Sequence, residues 1–126
     1  MPDHDLVSRA TRDVIERFNA AFNAHDVDRV MALMTDDCVF ENTYPPPDGQ
    51  RFEGAGAVRA FWVDFFKGSP QAVFETEELV TTGDRGVCRW RYVWAPDDAT
   101  SGHIRGVDVF RVRAGLVAEK LSYVKG

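Results

Sequence analysis

In HIRGVDVFRVRAG, residues 103–115, a single carboxylate stands in a stretch that alternates as a strand does. Successive side chains of a strand point to opposite faces. Asp108 therefore shares a face with Ile104, Gly106, Phe110 and Val112, while Arg105, Val107, Val109, Arg111 and Arg113 look the other way. A carboxylate on an apolar face is costly unless it is paired, hydrogen-bonded or protonated. Two readings follow. Asp108 is either the acid or base of a small-molecule site, or a structural group holding an arginine, an indole or a backbone amide. Asn42, in CVFENTY, shares its face with Phe40 and Tyr44 and is the second candidate. A buried amide needs partners, so Asn42 either orients a substrate carbonyl or holds Asp108, the latter being the favoured reading. Glu41 falls on the solvated side.

Other chemistries find less support. His4, His25 and His103 lie in unrelated contexts without HxH or HxxE spacing, so no metal site is expected. His103 has the parity of Arg105 and reads as a rim residue. Gly54-Ala55-Gly56 lacks the strand and third glycine of a nucleotide fingerprint, and no serine has the context of a nucleophile elbow. Net charge is −5 with no basic run, which argues against nucleic acid. No apolar stretch approaches the roughly 18 residues of a membrane span, and MPDHDLVSRA lacks the order of a signal peptide. A cytoplasmic protein is expected, with Cys38 and Cys88 as free buried thiols.

The elements that position these residues are visible as periods. The 126 residues suit one domain, 1–126, with residues 1–5 expected to fray. Val7, Ala10, Val14, Phe18, Ala21 and Phe22 recur at helical spacing. Asp26 is a plausible N-cap for a short second helix, and Thr35-Asp36-Asp37 reads as a turn. A first strand over 38–44 precedes PPPDGQRFEG, a wide turn with 50–53 returning as a short strand. A third helix carries Val58, Phe61, Trp62, Phe65 and Phe66, and Gly68 and Pro70 stop it. The period is then two over 72–82, 86–95, 102–113 and 116–125, with breaks short enough for antiparallel hairpins and a loop over 96–101. This order predicts an α+β fold, a curved antiparallel sheet forming a cone with three helices on its concave side. The inward parity of Cys88, Trp90, Tyr92 and Trp94 makes that side aromatic. On the outer face Val107 and Val109, with Leu121 or Tyr123, form an apolar strip of the kind that becomes an interface.

FNAAFNAHDVDRVMALMTDDCVFEN, FEGAGAVRAFW and RGVDVFRVRAGLVAEKLSYVKG together resemble the SnoaL-like branch of the nuclear-transport-factor-2-like superfamily, from about Ser8 to Val124. The resemblance implies a cystatin-like α+β barrel and a homodimer formed through the sheet. It also implies a small-molecule pocket with isomerase- or cyclase-type acid–base chemistry on a polyketide-, steroid- or terpenoid-like substrate. The alternative is a non-catalytic ligand-binding dimer of the same fold. Ketosteroid isomerases of the superfamily place a tyrosine where this chain has Phe18 and an aspartate base where it has Asn42; their second aspartate matches Asp108. Phe18 cannot donate a hydrogen bond and Asn42 cannot take a proton, so that route is not available. Ser122 falls near where the epoxide-hydrolase relatives carry an acid. The expected site is Asp108 and Asn42 as the chemical pair, with Phe18, Phe22, Tyr44, Trp62, Trp90, Tyr92 and Phe110 enclosing a hydrophobic ligand. No cofactor is expected, because proton transfer beside a carbonyl needs only a positioned acid or base.

Overall fold

Helix α1 spans His4–Asn23 and buries Thr11, Val14, Ile15, Phe18, Ala21 and Phe22, a stripe at helical spacing. Its start is earlier than expected. The Asp3 carboxylate accepts the Asp5 N–H at 2.8 Å and caps the helix, so residues 3–5 are held rather than frayed. The computed structural model describes residues 3–94 and 102–126; residues 1–2, the end of the strand expected over 86–95 and the expected 96–101 loop lie outside the described residues. After α1, His25 takes a left-handed φ of 54°. Its ring stacks on Phe66 at 4.8 Å and its Nε2 meets the Ala72 carbonyl at 2.9 Å. Asp26 then caps α2, Val27–Ala32, by accepting the Arg29 N–H, as its position predicts.

Strand β1 is Met34–Glu41. Thr35-Asp36-Asp37 is thus part of a strand and not a turn. Met34 pairs with Val117 and Val39 with Glu119, and the register shifts between them. That irregularity absorbs residues of poor strand propensity, whose partner lies some eighty positions away and is invisible to local pattern. The strand also stops short of Tyr44, because Asn42 pairs with Gln50 and starts the wide turn. β2 (Arg51–Glu53) returns beside β1, and α3 (Ala55–Gly68) follows.

β3 (Val73–Thr82), β4 (Arg85–Val93), β5 (His103–Arg113) and β6 (Leu116–Val124) form the expected antiparallel series. The sheet order is β2-β1-β6-β5-β4-β3, with β1 parallel to β6. The expected barrel is therefore an open, curved sheet: β2 and β3 remain as edges. Register shifts in β3 and at Arg111/Val112 bend the strands around the helices. One glycine is needed for this fit. A Cβ on Gly86 would stand 2.3 Å from the Ile15 Cδ1, so its bareness lets α1 seat against β4. Cys38 and Cys88 are free and buried.

Candidate active site

The sheet register assembles the inner wall row by row. Cys88 lies opposite Asp108, and Asp108 opposite Ser122. The next row runs Phe40, Lys120, Phe110 and Gly86; the row on the other side brings Trp90 against Gly106. Gly106 is bare for a reason: a Cβ there would stand 2.6 Å from the Trp90 ring and 2.2 Å from the Tyr123 carbonyl. The parity argument for Asp108 holds, and the residue is 5% exposed.

Its partners are not those expected. Ser122 Oγ donates to Asp108 Oδ1 at 2.6 Å, and Lys120 Nζ stands 3.4 Å from Oδ2. Lys120 also donates to Ser122 Oγ at 3.3 Å, which closes a triangle. The ammonium is as buried as the carboxylate and sits 4.8 Å from the Phe40 ring centroid and 5.2 Å from that of Phe22, within cation–π reach of both. Asn42 does not hold Asp108. Its Oδ1 accepts the Gln50 N–H at 2.7 Å, securing the wide turn.

A chamber of about 110 Å³ opens beside this triangle, lined on its polar side by Asp108, Lys120, Ser122, Asn42 and Thr43. Phe22, Phe40, Trp62, Trp90 and Tyr92 are among its apolar walls, completed by Phe61, Phe65, Phe74 and Ile104. Of the residues expected to enclose a ligand, Phe22, Trp62, Trp90 and Tyr92 line it. Phe18 and Phe110 do not: both are fully buried in the core behind it and pack edge to face at 5.7 Å. Tyr44 is also placed elsewhere, 74% exposed on the proline turn, because the strand that would have aimed it inward has already ended. His103 is exposed, as its parity requires.

Behind Asp108 a recess of about 20 Å³ is lined by Asn19, Thr76 and Cys88 as well as Lys120 and Trp90. Burial pushes the Cys88 thiol above its ordinary range; the Thr76 hydroxyl opposes this and the negative charge of Asp108 adds to it. Trp90 Nε1 is buried without a hydrogen-bond partner. Among the described residues, no three His, Cys, Asp or Glu side chains come together as a metal ion would require. No described helix is long and apolar enough to cross a membrane.

The sequence pattern of the SnoaL-like domain matches residues 15–120, from the middle of α1 to Lys120 in β6. The chain belongs to the SnoaL-like family. A structure of a nuclear-transport-factor-2-like protein of unknown function from Mesorhizobium loti is 37% identical, covers 100% of this SnoaL-like chain and 98% of its own, and superposes with a TM-score of 0.82. A provisionally assigned polyketide cyclase from Sinorhizobium meliloti is 21% identical over 88% of this chain and 94% of its own, TM-score 0.71. A provisionally assigned ketosteroid isomerase from Kribbella flavida is 17% identical over 94% and 80%, TM-score 0.76. At such identities the last two establish the shared fold, and the fold alone does not deliver an activity.

Lys120 is the residue that the strand-by-strand reading missed. Part of the signal was available: with Leu121 and Tyr123 read as outward, the parity of LVAEKLSYV turns Lys120 and Ser122 inward, while the register that sets them beside Asp108 is seen only in the sheet.

Proposed function

We propose that this SnoaL-like chain is an acid–base enzyme of isomerase or cyclase type acting on a hydrophobic carbonyl compound. The observation that carries the reading is a buried carboxylate on the wall of an aromatic chamber, beside a buried ammonium. Asp108 takes a proton from the carbon next to the carbonyl: the C–H bond breaks, an O–H bond forms on Asp108, and the electron pair moves to the carbonyl oxygen. Asp108 loses its charge as the ligand gains one, so Lys120 exchanges one anionic partner for another and the chamber's net charge is unchanged. Such a step needs no charge separation in a medium where that is expensive.

The measurement is exchange of ligand protons for deuterium in deuterated water, followed by NMR over a panel of cyclic and polycyclic ketones. Asp108→Asn is expected to lower exchange by about 100-fold or more. A second reading is a binding protein without turnover, and one observation favours it: both Asp108 oxygens are already engaged, by Ser122 and Lys120. Binding of panel members with no exchange by the unaltered protein supports that reading and overturns the first.

The outer face supports a partner proposal. Val80, Val87, Val109 and Leu121 lie in one row across β3 to β6, with Tyr123 exposed beside them. We infer that a second copy of the chain covers this row in an isologous contact. Val87→Glu should convert a dimer to monomers in analytical ultracentrifugation; a wild-type monomer at high concentration overturns the inference.

A further inference from the structure

The chamber's polar inventory is one-sided. Lys120 has three N–H groups, of which one donates to Ser122, while the ammonium pairs with the Asp108 carboxylate at 3.4 Å. Asn42 presents its NH2 group, since its carbonyl oxygen is occupied by Gln50. Against these donors stands one charged acceptor, Asp108, both of whose oxygens are engaged. An unpaired buried donor is costly, so the ligand that suits this wall brings acceptor oxygen.

Size narrows the class further. An apolar cavity of about 150 Å³ accepts a single benzene ring; this chamber is about 110 Å³ and open on one side. Its walls are aromatic rings packed on one another, Phe22 meeting Trp62 edge to face at 5.6 Å and Phe40 tilted on Trp62 at 5.0 Å, so a guest meets ring faces and edges, which an aromatic ring complements. We propose that the chamber takes a compact planar molecule of about one ring that carries an anionic oxygen (a carboxylate, phenolate or enolate) set against Lys120, rather than a neutral polycyclic ketone. The proposal rests on the reading of this chamber as the ligand site and sharpens its substrate class.

Three probes test it by titration calorimetry at neutral pH: benzoate, its neutral isostere benzamide, and progesterone as a four-ring ketone. Benzoate should bind about tenfold more tightly than benzamide, and progesterone more weakly than either. Asp108→Asn removes the competing anion and should tighten benzoate by about tenfold while leaving benzamide nearly unchanged. Lys120→Met alone leaves a buried carboxylate unpaired and risks unfolding, so the cationic arm uses Asp108→Asn with Lys120→Met, which removes both charges. In that variant benzoate should lose its advantage over benzamide. Equal affinity for the two probes, tighter binding of progesterone, or a benzoate preference that survives the double substitution would overturn the proposal. If the anion preference fails but Asp108-dependent exchange of neutral ketones persists, the substrate class is wrong and the enzyme reading stands. If benzoate binds as expected while no carbonyl compound exchanges, the reverse holds.

Discussion

On the outer face of the sheet, Arg105 pairs with Glu77 at 3.0 Å, Arg111 with Glu119 at 3.3 Å and Arg89 with Glu78 at 3.4 Å. On the inner face of the same strands, Lys120 pairs with Asp108 at 3.4 Å. The distances are similar and the settings are not. The outer side chains are 26–59% exposed, the inner two 6% and 7%. Water screens the outer charges so well that such pairs contribute little. Inside, each charge depends on the other, because neither has water to return to. A charge pair therefore says little by its geometry; its surroundings decide whether it is surface dressing or the centre of a site.

The sharpest way to break this contrast is to remove one inner partner. Lys120→Met should cost about 3–5 kcal/mol, by leaving the buried Asp108 carboxylate without its counter-charge. The same change made together with Asp108→Asn should cost much less, and urea unfolding of Lys120→Met, Asp108→Asn and the double variant gives the coupling directly. Next in size is the packing that holds α1 on the inner face. Gly86→Val must displace the fully buried Ile15, and a loss of about 1–3 kcal/mol in the same measurement is expected.

A smaller effect separates the faces by pH. Burial raises the thiols of Cys38 and Cys88. The folded chain then keeps these protons where the unfolded chain has lost them, so stability is unaffected at neutral pH and falls as pH rises past about 8.5. Cys88→Ala should flatten that alkaline decline in the unfolding midpoint; an unchanged slope would remove Cys88 as its source. Smallest is the outer face itself. Arg89→Ala or Arg105→Ala should change stability by about 0.5 kcal/mol or less, and less again in high salt. A loss comparable to that of Lys120→Met would erase the distinction between the faces.

Much of the inner face was legible in one dimension. The alternation around Asp108 placed it inward because period two leaves no choice once its neighbours are apolar. The helices read as clearly, since Phe18, Phe22, Trp62 and Phe66 recur at helical spacing. What escaped was whatever depended on a distant strand. Tyr44 follows the expected alternation on paper, yet the chain leaves β1 at Glu41 because Asn42 finds Gln50 across the turn. Phe18 and Phe110 have the right parity for a ligand wall but stand one layer deeper, a matter of how α1 packs on the curved sheet.

Local periodicity thus determined which side chains point inward, since it follows from backbone geometry alone. Which of them meet was decided by strand register. Asp108 and Lys120 belong to different strands, and only the pairing of Phe110 with Lys120 and of Asp108 with Ser122 brings carboxylate and ammonium together on one wall. An ion pair buried among rings is a property of that meeting, because burial depends on everything around a residue and nothing in its own neighbourhood along the chain can specify it.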